Sequence, residues 1–197
     1  MTDQSRLTRT ALVGAPLLWL AGWLIMRWRG HLGPGAAWTA AHSVWVVAFA
    51  LFAVAAVHLY RRLDGSARVL GVVTAAMSLF GAVAMIGQMG IDLWSGFGAA
   101  DKAAMGERAD QAMALPGVDL VLYQLAPALL YFGLLLQLVL LAANRRAGWT
   151  APALVALGIV LVLVGRGVDG VRLLEGLGSV AIWGALAPLA RQARHQV

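Results

Sequence analysis

Long apolar runs dominate the chain, and short stretches rich in glycine, proline or charge separate each run from the next. Six runs are long enough to cross the roughly 30 Å hydrocarbon core of a bilayer as helices. They lack the period-two alternation of barrel strands, so the pattern favours helices over a β-barrel. We therefore predict an all-α fold, a bundle of six transmembrane helices at about residues 9–28, 37–60, 68–95, 118–143, 149–166 and 170–190.

The overall composition places the whole chain in the membrane class. Hydrophobic residues make up 61% of its 197 residues and charged residues 12%, whereas soluble domains contain about 45–50% and about 25%. No stretch is left for a separate soluble domain, so we interpret residues 1–197 as a single integral membrane domain. The absence of cysteine excludes disulfides and thiolate-bound metals.

The distribution of arginine predicts the orientation of the bundle. If the N-terminus is inside, the inner segments carry nine basic and two acidic residues, and the outer segments carry six and seven. By the positive-inside rule both termini are then cytoplasmic. Lys102 is the only lysine, a bias typical of GC-rich bacterial genes, so we predict the bacterial cytoplasmic (inner) membrane. Because the basic residues lie in short loops beside apolar runs, we predict no nucleic acid partner.

Two features concern the arrangement of the spans. The long outer connection at 96–117 has an Ala-rich middle, which is compatible with a short interfacial helix or with a plain loop. An internal echo at an offset of 111 residues relates Ala15-Pro16 to Ala126-Pro127. Because three spans is an odd number, such a repeat would be a 3+3 inverted repeat, as in many transporters. Shared helix-packing habits in a biased composition would explain the same matches.

Polar side chains cluster on helical faces near the predicted outer ends of the spans. Gln88 and Asp92 share one face of the third span, and Arg172 and Glu175 share one face of the sixth. Charged groups are costly in hydrocarbon, so such faces are expected to meet protein or water rather than lipid. We expect them to converge on an outward-facing pocket, with the candidate ligand-binding residues Arg172, Asp169, Gln88, Tyr123, Gln124, Trp45 and Trp183.

The candidates for acid–base chemistry are Glu175, Asp92 and His42. Glu175 or Asp92 would donate a proton, and His42 or Tyr123 would assist. The structural alternative is that Asp169, Arg172 and Glu175 neutralise one another as an i, i+3 ladder at a helix start. The chain has no P-loop, dinucleotide fingerprint or H-E-x-x-H motif, and no two intramembrane histidines that face each other. We therefore predict no metal site and no cofactor.

Three functions fit this pattern. The first is an integral membrane carrier or binding protein for a small hydrophobic or amphipathic molecule, with a polar pocket toward the outer face; the suspected repeat and the polar faces favour it. The alternative is a membrane-embedded acid–base enzyme acting on a lipid-like (isoprenoid or sterol-like) substrate. The third is an accessory subunit of a membrane complex. Expected partners are membrane lipids, the small ligand, and a second copy or another membrane protein, because small residues allow close helix approach.

Overall fold

The computed structural model describes residues 3–30 and 32–192, and within these ranges it is helical with no strand. Arg194, which contributes to the predicted charge asymmetry, lies outside the described residues. The elements in chain order are α1 (Asp3–Arg29), α2 (Ala36–Arg61), α3 (Gly65–Gly96), α4 (Lys102–Met113), a π-helical turn (Asp119–Leu125), α5 (Ala126–Ala143), α6 (Thr150–Gly167) and α7 (Leu173–Gln192).

Six helical segments are long and apolar enough to cross a membrane, and α4 is not one of them. They are α1, α2, α3, the π-helical turn together with α5, α6 and α7. The predicted all-α bundle of six helices is therefore confirmed, and the chain is a multi-pass integral membrane protein. The inverted repeat is not confirmed and stays a prediction.

The six spanning helices form a closed ring in chain order. Each packs against the next, α7 returns to pack against α1, and α2 also touches α5 across the ring. The interior is filled by large apolar side chains with less than 2% of their surface exposed, among them Phe49, Phe52, Leu130, Leu134 and Leu138. Since lipid provides little hydrophobic driving force between helices, close packing of these side chains holds the ring together.

Glycines set the distance between most neighbouring helices. A Cβ atom added at Gly81 of α3 would lie 2.4 Å from a backbone nitrogen of α5, and one added at Gly133 of α5 would lie 2.7 Å from a backbone nitrogen of α3. Gly158 and Gly178 bring α6 and α7 together in the same way. Among the glycines of residues 3–30 and 32–192, none makes such a contact between α5 and α6.

The bundle has two ends, which we name by what they carry. The terminal end holds the start of α1, the end of α7 and the α2–α3 and α5–α6 connections. There Arg62 donates hydrogen bonds to the carbonyl of Arg146 and to Oε1 of Gln192, both at 2.9 Å, and Arg146 pairs with Asp64. The loop end holds α4 and the α1–α2 and α6–α7 connections.

The fourth span opens at the loop end with a π-helical turn. Pro127, the second residue of α5, has no N–H, so the carbonyl of Tyr123 four residues earlier lacks its helical donor. The backbone N–H of Ala126 donates to the carbonyl of Val121, five residues back. Such wider turns frequently lie at functional sites, and this one carries Tyr123 and Gln124.

The connection at 96–117 contains the short helix α4 rather than a plain loop. Asp101 caps its N-terminus by accepting a hydrogen bond from the backbone N–H of Ala104 at 2.9 Å. Met105 is buried, and α4 contacts α3. The helix therefore lies with its apolar side on the bundle at the loop end.

The last span starts later than the sequence pattern indicates. α7 begins at Leu173, because Gly170 adopts a φ of 84°, a left-handed conformation that interrupts the helical path. Asp169 and Arg172 therefore precede the helix, and both are exposed. The alternative ladder of Asp169, Arg172 and Glu175 on one helical face does not form.

Candidate functional site

The carboxylate of Asp92 is the centre of the polar contacts at the loop end. The hydroxyl of Tyr123, in the π-helical turn, donates a hydrogen bond to Oδ1 at 3.0 Å. Oδ2 faces Nε2 of His42, on α2, at 3.7 Å, a distance suited to an ion pair. The side chains of His42 and Asp92 are 3% and 16% exposed, so water screens this contact only weakly. Three segments distant in sequence thus bring an acid, a base and a phenol together.

Aromatic rings fix the orientation of His42. Its ring stacks on Trp38 with the centroids 3.9 Å apart and meets Trp45 edge-on at 5.1 Å. Nδ1 of His42 lies 2.8 Å from the carbonyl of Trp38, one turn earlier. The indole Nε1 of Trp38 donates to the backbone carbonyl of Asp92 at 2.8 Å, which joins α2 to α3. The guanidinium of Arg29 lies over the Trp38 ring at 4.9 Å, a favourable cation–π contact.

A cavity of about 220 Å³ lies beside this cluster, between α5 and α6. Its polar lining groups include Tyr123, Gln124 and Arg166, and the rest of the wall is mostly apolar, with Met85, Tyr131, Phe132, Ile159, Val162, Leu163 and Ile182. Phe132 and Leu163 are 46% and 61% exposed, so the cavity opens sideways between the two helices. Tyr123 belongs both to the wall of the cavity and to the Asp92 cluster.

A second charged pair borders the cavity. Nε of Arg166, which lines the cavity from α6, lies 3.8 Å from Oε2 of Glu175 on α7. The Glu175 side chain is 12% exposed and packs against Gly165, where an added Cβ would lie 2.8 Å from its Cγ. Glu175 therefore faces Arg166 because the two helices approach closely at this glycine.

The structure brings together some of the residues that the sequence indicated. His42, Asp92 and Tyr123 meet directly, and Gln124 lines the cavity while it donates to Asp119 at 2.7 Å. Trp45 touches the His42 ring, but its Nε1 donates to the carbonyl of Trp19 at 2.9 Å.

Other predicted residues lie apart from this cluster. Asp169 and Arg172 are exposed before α7, and Trp183 is 38% exposed on the surface of α7. Gln88 lies one turn from Asp92 on α3, and its buried Oε1 has no hydrogen-bond partner among the described residues. Roles for these side chains in ligand binding stay predictions.

Sequence reasoning missed several residues of the site. Because tryptophans at span ends are usually interfacial, the sequence did not indicate that Trp38 positions His42. The i, i+4 spacing of the two residues was the available signal. The pairing of Arg166 with Glu175 depends on the turn at Gly170 and was not foreseen. Ile159 gave no signal at all, because apolar positions within a span look alike.

The chemistry available at this site is acid–base chemistry. Aspartate, histidine and tyrosine are all side chains that transfer protons in proteins. Within the part of the chain that the structure describes, no group of three or more histidine, aspartate or glutamate side chains is arranged to hold a metal ion.

Comparisons of the chain with protein-family models, with curated proteins and with solved structures found no match.

Proposed function

We propose that the protein is a membrane carrier or binding protein for a small hydrophobic or amphipathic molecule, held in the cavity between α5 and α6. The supporting observation is a mostly apolar cavity of about 220 Å³ that carries polar groups. Ligand sites are commonly apolar clefts of about 300–1,000 Å³ with a few polar groups that orient the ligand. A cavity below that range fits a small molecule or one segment of a longer chain.

The polar group of the bound molecule would lie beside Tyr123, Gln124 and Arg166, and its apolar part would contact the rest of the wall. Arg166 has five guanidinium N–H donors, so facing one carboxylate leaves donors for a ligand. Because Phe132 and Leu163 at the opening are substantially exposed, we expect entry from the lipid between α5 and α6.

We further propose that the termini are cytoplasmic and that the site lies in the outer half of a bacterial inner membrane. Support comes from the basic residues at the terminal end, which include Arg61, Arg62, Arg68, Arg145 and Arg146. Since the chain has no cysteine, single cysteines report sidedness without background labelling.

The matched pair for this measurement is Ser66→Cys at the terminal end and Asp110→Cys on α4, both at exposed positions. A membrane-impermeant maleimide should label Asp110→Cys in intact cells and Ser66→Cys only after permeabilisation. The opposite pattern would reverse the proposed orientation.

The alternative function, a membrane-embedded acid–base enzyme for a lipid-like substrate, is supported by one contact. Tyr123 lines the cavity and also donates to Asp92, so a substrate atom beside Tyr123 would lie one hydrogen bond from a carboxylate. In this case Asp92 and His42 would exchange a proton with the substrate through Tyr123, and Glu175 would hold Arg166 in place.

Native mass spectrometry of the detergent-purified protein, with release and identification of bound small molecules, tests the proposal. We expect a stoichiometric organic molecule on the wild type. Ile159→Trp, which fills the cavity, should reduce its occupancy at least tenfold, equivalent to about 1.4 kcal/mol of binding free energy. Val160→Trp, the next residue on α6 and 54% exposed, is the matched control and should retain it. A chain without any bound molecule, at the stoichiometry of a larger complex, would contradict the proposal and favour the accessory subunit.

Two variants, Asp92→Asn and Glu175→Gln, distinguish the carrier function from the enzyme function. A carrier should keep binding the identified molecule while losing proton-coupled uptake into vesicles. An enzyme should form product in detergent without any gradient, and Asp92→Asn should abolish this. If both variants behave as wild type in both assays, the charged groups of the site have only a structural role.

A further inference from the structure

The hydrogen atom on the His42 ring can be assigned from its surroundings. Nδ1 lies 2.8 Å from the backbone carbonyl of Trp38. A carbonyl oxygen only accepts hydrogen bonds, so Nδ1 must be the donor and carry the hydrogen. In neutral histidine the other ring nitrogen, Nε2, then has a lone pair and no hydrogen.

With this tautomer, the contact between Nε2 of His42 and Oδ2 of Asp92 is unfavourable unless one of the two atoms carries a proton. Nε2 faces Oδ2 of Asp92 at 3.7 Å, and the His42 and Asp92 side chains are 3% and 16% exposed. If neither atom carries a proton, two electron-rich atoms face each other where water screens them little. With one proton on either atom, the pair becomes an imidazolium–carboxylate contact or an imidazole–carboxylic acid contact. The pair is then neutral, whereas without the proton its net charge is −1.

The second carboxylate oxygen is already engaged. Oδ1 of Asp92 accepts the hydroxyl hydrogen of Tyr123 at 3.0 Å, which leaves Oδ2 as the oxygen that takes up a proton. The Tyr123 oxygen keeps lone pairs that can accept a hydrogen bond from the cavity. A molecule in the cavity that accepts a hydrogen bond would draw the Tyr123 hydroxyl away from Asp92.

We propose that His42 and Asp92 together bind one exchangeable proton between Nε2 and Oδ2, and that Tyr123 makes the binding of this proton depend on the contents of the cavity. The proton site stands on the contacts of His42 and Asp92 alone. Only its link with the cavity rests on the proposed function.

The other charged groups near the pair come from two further segments. Arg29 of α1 acts on His42 from above the Trp38 ring, and Asp119 of the π-helical turn acts on Tyr123. The backbone carbonyl of Asp92 is occupied by the Trp38 indole and by the hydroxyl of Ser95 at 2.9 Å. Proton exchange therefore involves the carboxylate and not the backbone.

Nitrogen NMR of the full chain in lipid nanodiscs, with labelled histidine, tests the proton site without any ligand. The chain has four histidines, and His42→Gln identifies the signal of His42. Across the near-neutral range in which histidine titrates, Nδ1 of His42 should keep its hydrogen. The signal of Nε2 should shift once, because Nε2 either takes up the proton or accepts a hydrogen bond from the protonated Oδ2. Asp92→Asn should shift this titration by about one pH unit or more, or abolish it. Asp110→Asn, an exposed carboxylate at the same end, should leave it unchanged.

Two outcomes would overturn the proton site. One is a His42 that carries its hydrogen on Nε2 rather than Nδ1 in the neutral form. The other is a His42 titration that Asp92→Asn leaves in place. Should Asp92→Asn fail to fold, Tyr123→Phe serves instead, because loss of one hydrogen bond to the carboxylate should shift the titration by about one pH unit. Tyr131→Phe, the other tyrosine of the cavity wall, is its control and should cause no shift.

The link with the cavity has its own measurement, with 1-octanol as the probe. Octanol should shift the His42 titration in the wild type but not in Tyr123→Phe or Ile159→Trp. No shift in the wild type would overturn the link, and an equal shift in all three proteins would overturn it as a bilayer effect. In both cases the titration without octanol still reports on the proton site, so the two failures are distinguishable.

Discussion

The two sides of α5 show opposite ways of meeting a neighbouring helix. Toward α3, Gly81 and Gly133 bring backbone against backbone, and no additional Cβ fits. We call this interface the closed seam. Toward α6, large side chains such as Phe132 and Ile159 line a cavity of about 220 Å³. We call this interface the open seam.

The two seams differ in how much space they leave between helices. Membrane helices associate through close packing, so small residues at the closed seam supply rigidity. The open seam lacks this close packing and contains a cavity with polar groups beside it. Asp92 belongs to α3, at the closed seam. Tyr123 donates a hydrogen bond to Asp92 and also lines the cavity at the open seam. In the proposed function, the closed seam therefore positions the acid and the open seam admits the ligand, on opposite sides of one helix.

Adding a methyl group at the tightest point of the closed seam should cause the largest loss of stability. Gly81→Ala places a Cβ 2.4 Å from the backbone nitrogen of Leu130, which cannot move without shifting α5. We expect a loss of roughly 1–3 kcal/mol in the free energy of unfolding. Thermal stability of the detergent-purified protein, read by size-exclusion chromatography, measures it.

The control on the same helix is Gly90→Ala, since nothing lies within 4 Å of a Cβ added there. Alanine has the higher helix propensity, by up to about 1 kcal/mol, so this variant should be as stable as the wild type or slightly more stable. Equal losses in both variants would mean that glycine in α3 serves the helix itself and not the seam.

A comparison of two large side chains on α5 sharpens the contrast between the seams. Leu130 is fully buried at the closed seam, whereas Phe132 is 46% exposed at the open one. Leu130→Ala leaves a cavity among packed atoms and should cost roughly 2 kcal/mol, at the lower end of the range for buried leucines. Phe132→Ala should cost less although it removes more atoms, because lipid can replace the lost contacts. A larger loss for Phe132→Ala in the same thermal assay would contradict the open seam.

The smallest expected effect concerns a hydrogen bond at another closely packed interface. Ser179 of α7 donates to the carbonyl of Pro16 on α1 at 2.6 Å, in a fully buried position. Interhelical hydrogen bonds in membranes contribute about 0.6 kcal/mol on average, so Ser179→Ala should lower stability by about that amount. Ser66→Ala, at an exposed position, is the matched control. A loss as large as that of Gly81→Ala would show that hydrogen bonds, and not close approach alone, hold the ring together.

Parts of the candidate site were predictable because their chemistry is conspicuous in an apolar chain. Asp92, His42 and Glu175 stood out as rare ionisable groups at helix ends, and Tyr123 entered from the same side. The partners with which these ionisable groups pair were harder to predict from the sequence. The spacing in the sequence predicts a pairing of Glu175 with Arg172, yet the turn at Gly170 leaves Arg172 outside α7, and Arg166 faces Glu175 instead. Spacing along one helix cannot reveal a partner on the neighbouring helix.

The class of this protein and the number of its spans follow from the amino-acid pattern alone, because the cost of leaving backbone groups unpaired in lipid forces long apolar runs to be helices. The same pattern shows which few side chains are chemically able to exchange protons. The closer approach of α5 to α3 than to α6 becomes visible only in the folded bundle, because helix distances depend on which glycines face the backbone of a neighbouring helix. The contact of His42, Asp92 and Tyr123 is likewise visible only in the folded bundle, because these residues are distant in the chain and come together only when the helices pack into the ring.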